Sequence, residues 1–237
     1  MPFKFHLMFL CVFFNTANHA NKTTSFPNAP AQKTATTETF NSHISLIPIN
    51  IQKRMNYTWQ AGCPLAQNHL RYVSVSYWGF DNKTHQGALI IHQALAKETV
   101  QIFKSLYLHH FPIERMDLMD VYHGNDEAAM TANNTSSFNC RAVTGQRGVF
   151  SQHSYGRAID INPKMNPYVK GKQVAPFNST PFVSRNKPLP GKIINNSFIY
   201  KVFTKHGWDW AGNWYDLQDY QHFEKRANGK KRNPYGY

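Results

Sequence analysis

Acidic residues are scarce in this chain. Thirteen Asp and Glu stand against 26 Lys and Arg, a formal net charge of +13 over 237 residues. So basic a protein suits a polyanionic partner, either nucleic acid or a bacterial wall rich in carboxylates and phosphates. There is no Lys/Arg-rich helix and no zinc-finger or RNA-binding signature, which argues against nucleic acid. Long hydrophobic runs are also missing. The apolar stretch His6–Phe14 is too short to span a bilayer, and no other segment approaches that length. Behind Lys4 it reads as the core of a secretory signal peptide, with cleavage after Ala20 or Ala17; an uncleaved anchor is the alternative. Cysteines number only three. Cys11 leaves with the signal, and no lipobox surrounds it. Cys63 and Cys140 remain, as a disulfide in an exported protein or as two buried thiols, and spacing does not choose between them.

The length fits one domain with appendages. Residues 1–20 are the signal, 21–56 a flexible Thr/Asn/Pro-rich linker, 57–227 the folded domain and 228–237 a basic tail. Within the domain, Leu70–Trp78 alternates and is rich in β-formers, Phe80–Thr84 is turn chemistry, and Gly87–Ile91 is a second strand, so a hairpin is expected. Gln93–His109 reads as a helix that buries Leu95, Thr99, Ile102, Phe103 and Leu106, and Pro112 stops it. A long connection follows, with one helical turn at Ala128–Met130. Pro163–Pro190 holds six prolines and reads as a surface loop beside the site. A second helix is expected over Ile193–His206, with Ile194, Phe198, Val202 and Phe203 at helical spacing. The fold class is α+β, a central mostly antiparallel sheet with flanking helices.

Two stretches carry chemistry. Ser151-Gln152-His153-Ser154-Tyr155-Gly156-Arg157-Ala158-Ile159-Asp160-Ile161-Asn162 ends in a short strand. Strand alternation puts Ala158, Asp160 and Asn162 on one face, and Ile159 and Ile161 on the core face. Gly156 permits a tight bend that returns His153 to the side of Asp160. The second stretch, Asp219-Tyr220-Gln221-His222-Phe223-Glu224, follows the aromatic run Gly207–Trp214. Two histidines and a carboxylate make a zinc site with one position open for water. If Gln221 to Glu224 is a strand, His222 and Glu224 share a face and Asp219 stands at its entrance; if it is helical, Asp219 and His222 share a face.

Ser-x-His-x-x-Gly-x-Ala-x-Asp followed by Asp-x-x-His-Phe-Glu resembles the zinc D-alanyl-D-alanine carboxypeptidases of the VanY type, and the related L-alanyl-D-glutamate endopeptidases of phage endolysins. Both share the fold of the Hedgehog signalling domain. The resemblance covers roughly Trp59 to Arg226. It implies His153, Asp160 and His222 as ligands of one zinc ion, Asp219 as catalytic base, and Arg141, upstream of the first motif, as the group facing the substrate carbonyl or carboxylate. Dipeptidases of this group usually carry Glu at the base position, and the endolysin branch carries Asp. Glu224 is the second choice for the base, or a partner of a ligand histidine. Ser151 and Tyr155 are candidates for orienting His153 or holding substrate.

The expectation is an exported zinc peptidase that cuts peptidoglycan stem peptides. A D-Ala-D-Ala carboxypeptidase is favoured and an L-Ala-D-Glu endopeptidase is possible. It is expected to act as a monomer, without a nucleic-acid partner and without stable membrane insertion after signal cleavage. The alternative is a zinc-containing wall-binding module with little catalysis.

Overall fold

The computed structural model describes residues 1–2, 39–143, 146 and 148–233. The signal-peptide reading and residues 21–38 of the expected linker lie outside the described residues.

The rest of that linker is a correction. Ser42–Ser45 forms strand β1 and Ile49–Gln52 a short helix, α1. Ile47, Ile51 and Met55 are buried with Leu70, Ile90 and Phe138 in one apolar cluster. Three apolar side chains at four-residue spacing make this segment part of the domain.

Leu70–Trp78 (β2) and Thr84–His92 (β3) form the expected hairpin, paired from Leu70↔His92 to Trp78↔Thr84, and β1 adds antiparallel on the other side of β2. A 3₁₀ turn at Gln93–Leu95 leads into helix α2, Ala96–Leu108. Leu95, Thr99, Ile102, Phe103 and Leu106 are all buried, the face that the spacing predicts. Helix α3, Asp126–Thr131, is capped by the Asn125 side chain, which accepts from the Ala128 N–H.

Beyond this point the chain builds the site. Ala158–Asp160 is β4, Tyr168–Lys170 is β5 and Gln173–Ala175 is β6; the proline-rich segment is therefore partly sheet. Helix α4 is Phe198–Lys205, shorter than expected and turned by about one residue. Ile199 and Phe203 point inward, whereas Phe198 is exposed. Then come β7 (Asp209–Trp210), β8 (Gln218–Asp219) and β9 (His222–Glu224). The architecture is α+β and antiparallel. In place of one central sheet, the described residues form three small sheets, β1-β2-β3, β4-β9-β7 and β6-β5-β8.

One register decides where the chemistry falls. β4 and β9 pair as Ala158↔Glu224, Ile159↔Phe223 and Asp160↔His222. Ile159 and Phe223 are fully buried in the main core, where Phe223 stacks on Phe203 at 3.9 Å. The opposite face therefore carries Asp160 and His222 side by side, with Glu224 next along. A one-residue slip would turn Phe223 to the site and His222 into the core. Asn162 departs from the expected strand face. β4 ends at Asp160, and Asn162 takes φ +45° and donates from its Nδ2 to the carbonyls of Pro112 and Gly191. It fastens loops together, away from the site.

The tail is likewise anchored. Arg232 is buried, pairs in a fork with both Asp216 oxygens at 2.8 and 2.7 Å, and lies over the Trp214 ring. Residues 234–237 lie outside the described residues.

Candidate metal centre

His153 sits in a 3₁₀ turn, Gln152–Tyr155. Ser151 caps the turn, its hydroxyl accepting from the His153 N–H at 3.3 Å. Gly156 closes it at φ +60°, donating to the His153 carbonyl and accepting from the His92 N–H at 2.8 Å. A Cβ here would stand 2.6 Å from the His92 nitrogen. Gly156→Ala is expected to destabilise the protein by at least about 1–3 kcal/mol, through left-handed backbone strain and this collision together. Denaturant unfolding of the two proteins checks it.

His153, Asp160 and His222 are all buried and converge. His153 Nε2 lies 3.2 Å from Asp160 Oδ2 and 3.2 Å from His222 Nδ1, and His222 Nδ1 lies 3.0 Å from Asp160 Oδ1. Three ligands on a tetrahedral ion with bonds of about 2.0–2.1 Å would stand about 3.3 Å apart. The donor chemistry agrees. His153 Nδ1 meets the Ser137 carbonyl, which only accepts, so Nδ1 carries the hydrogen and Nε2 presents a lone pair. His222 Nε2 meets Glu224 Oε2 at 3.2 Å, so its Nδ1 presents a lone pair. In these tautomers two lone pairs and a carboxylate face one another, a donor set suited to a cation.

The electrostatics point the same way. Burial pushes the His222 imidazole down, but the Asp160 and Glu224 carboxylates outweigh it, and the group lies well above its ordinary value. Burial would raise Asp160, yet the facing imidazoles hold it below the usual carboxylate range. The pocket stabilises one positive charge at this point, carried by a proton or by a metal ion. Two imidazole nitrogens and one carboxylate suit zinc.

His153 and His222 open onto a cavity of about 660 Å³ that Arg141, Ser151, Tyr155, Asp219 and Glu224 also line. β8 carries Asp219, whose Oδ1 accepts from Gln221 at 3.0 Å; its burial in the cleft wall lifts it to about 6. The strand alternative holds for the second motif. Glu224 shares the His222 face, and both its oxygens are engaged, Oε2 by His222 and Oε1 by Arg226 at 2.6 Å. Glu224→Ala, which frees the outer nitrogen of a ligand histidine, is expected to weaken zinc binding about 10- to 100-fold, as read by competition with a chelator.

Arg141 pairs through Nε with Asp126 in the first turn of α3. Its backbone is pinned by Ser154, whose hydroxyl accepts from the Arg141 N–H at 2.9 Å and donates to the Arg141 carbonyl at 2.8 Å. Next to it, Cys140 is joined to Cys63, so the two cysteines form a disulfide. Sequence reasoning missed Ser154 and Arg226. Arg226 lies two residues past the end of β9, where no alternation marks it, and only its contact with Glu224 picks it out.

Residues 144–225 match a family described as D-alanyl-D-alanine carboxypeptidase, which supports the VanY-type resemblance. The matched span contains His153, Asp160, Asp219, His222 and Glu224; Arg141 and Arg226 fall outside it. No curated protein and no solved structure matches the chain.

Proposed function

We propose that the protein is a VanY-type zinc peptidase that hydrolyses peptide bonds in peptidoglycan stem peptides. The observation that carries this is the convergence of His153 Nε2, His222 Nδ1 and Asp160 at 3.0–3.2 Å, with both histidines on the wall of an open cleft. Zinc bound there would polarise a carbonyl and lower the pKa of a water to about 7. The chain's own groups do the rest. Asp219 accepts the water's proton as the water attacks the amide carbonyl, and then delivers it to the leaving nitrogen. Burial raises this acid and a bound zinc ion would lower it again, so near neutral pH it is ionised and free to take the proton. Arg141, backed by Asp126, supplies positive charge where the carbonyl oxygen becomes an oxyanion. Glu224 holds the His222 tautomer and is not the base, because both of its oxygens are committed. Ser151 fixes the turn that aims His153, and Tyr155 forms part of the substrate wall.

The reading includes export. A disulfide between Cys63 and Cys140 suits an oxidising compartment, and among the described residues no helix is long and apolar enough to cross a membrane. The net charge of +13 would concentrate the protein on an anionic wall.

The test is a digest of purified peptidoglycan read by mass spectrometry, with and without a chelator. Loss of one terminal alanine, restored by zinc after chelation, identifies a D,D-carboxypeptidase, the favoured reading. A cut between L-Ala and D-Glu under the same control identifies the endopeptidase. No new fragment from zinc-loaded protein would overturn the enzyme reading and leave a wall-binding module.

A further inference from the structure

Among the described residues four arginines line the cleft, and they differ in which nitrogens are already paired. Arg141 pairs through Nε with Asp126, donates from a terminal nitrogen to the Ala142 carbonyl and is assigned above to the oxyanion; Arg157 donates to the Lys225 carbonyl and to His92 Nδ1, and Arg232 forks onto Asp216 and covers Trp214. Arg226 differs. Only its Nε is taken, by Glu224 Oε1 at 2.6 Å, and among the described residues its two terminal nitrogens have no protein partner. The side chain is 23% exposed and lines the same cavity as His222 and Asp219. Glu224 thus ties a metal-ligand imidazole on one oxygen to this guanidinium on the other. The fork is fixed one carboxylate away from the metal centre, with its terminal nitrogens free for a planar anion.

The chain around Arg226 is also braced. Lys225 Nζ bonds both Glu98 oxygens at 2.9 and 2.7 Å and the His206 carbonyl at 2.7 Å, and the Lys225 N–H donates to the Arg157 carbonyl. An arginine on a braced strand end, aimed by a buried carboxylate, loses little side-chain freedom when it takes a ligand.

Resting on the peptidase reading above, we propose that Arg226 binds the substrate carboxylate carried by the same carbon as the scissile nitrogen. Both bonds that reading leaves open share this feature. In a D-Ala-D-Ala terminus the leaving residue's own carboxylate is free. In an L-Ala-D-Glu bond the D-Glu α-carboxylate is free, because the chain continues through its side chain. One arginine beside the metal therefore selects peptides of this α-carboxylate form, and ordinary internal peptide bonds, which lack the anion, are poor substrates. Arg226 lies beyond the segment that matches the carboxypeptidase family, so the assignment rests on this chain's geometry alone.

The test compares zinc-loaded wild type, Arg226→Gln and Arg226→Lys on stem pentapeptides and on twins in which the terminal or the D-Glu α-carboxylate is an amide. Wild type is expected to prefer the free carboxylate beside the cut by about 10- to 100-fold in kcat/KM, the range of a charge-assisted hydrogen-bonded pair. Arg226→Gln should lose that factor on the free peptide and nothing on the amidated twin, with zinc still at one per chain. Arg226→Lys should keep part of the preference. An equal loss on both peptides, or a fall in zinc content, would overturn the inference and make Arg226 a support for Glu224 and His222. If wild type cuts no peptide, the peptidase reading fails separately. Calorimetric binding of the same pairs then decides: a carboxylate preference that disappears in Arg226→Gln sustains the site, and equal binding of free and amidated peptides overturns it.

Discussion

Asp219→Asn is expected to keep its zinc and lose its chemistry. The substitution preserves shape and removes the one carboxylate, among the described residues lining the cleft, that is not engaged through both oxygens. Positioned general acid–base catalysis contributes about 10²–10⁴ in rate, so kcat should fall by that factor while zinc stoichiometry stays at one. The pH profile gives an independent reading. A base must be ionised to work, so wild-type kcat should fall as pH drops through the Asp219 pKa. Burial lifts that value to about 6, and a bound zinc ion nearby moves it down from there, since an adjacent cation favours the carboxylate. The acid limb should therefore lie at or below about 6, and it should be absent from whatever activity Asp219→Asn retains. A variant that kept full kcat, or that lost zinc in step with activity, would contradict the role.

His222→Ala is expected to abolish zinc binding and activity together and to lower stability even without metal. His222 is the junction of the site, contacting Asp160, His153 and Glu224 through its two nitrogens. Removing one member of a buried charged network costs about 3–5 kcal/mol, because its partners stay buried without compensation. Zinc adds a separate term in wild type. At a free concentration 1,000 times Kd it stabilises by about 4 kcal/mol, and this gain should vanish in the variant. Thermal unfolding of both proteins, each with and without zinc, separates the two effects. If zinc raised the melting temperature of His222→Ala as much as that of wild type, the ion would have to be bound elsewhere.

Local signals were strong where periodicity and turn chemistry agreed. The β2–β3 hairpin and the buried face of α2 were legible because alternation and helical spacing held over nine and thirteen residues. His153 and Asp160 were legible because Gly156 marks the bend between them, and it adopts the left-handed conformation this requires. What stayed hidden was decided by partners distant in sequence. β1 is four residues long, and its burial pattern is mostly exposed; it is a strand because β2 offers an edge. Ile47, Ile51 and Met55 were read as linker because Pro48 and the polar surroundings mask their spacing, and only the cluster with Leu70 and Phe138 gives them a core. The inward face of α4 was misphased because Phe198 and Ile199 are adjacent and equally apolar, and packing against the core selected Ile199. Arg232 read as tail because its anchor, Asp216 with Trp214, lies many residues upstream. Arg226 is the instructive case. It stands two residues past the end of β9, so neither periodicity nor turn chemistry singles it out, and the contact with Glu224 alone gives it a direction.

The most direct measurement of the central claim is zinc-edge X-ray absorption on the purified, zinc-loaded protein, alongside its metal content. The account predicts one zinc per chain, bound by two imidazole nitrogens and one carboxylate, with a further light oxygen, no sulfur and bonds of about 2.0–2.2 Å. The signal should be lost in His222→Ala. A sulfur shell, fewer than two imidazoles, or a spectrum unchanged in His222→Ala would contradict it, and the cluster of His153, Asp160 and His222 would then not be the metal centre.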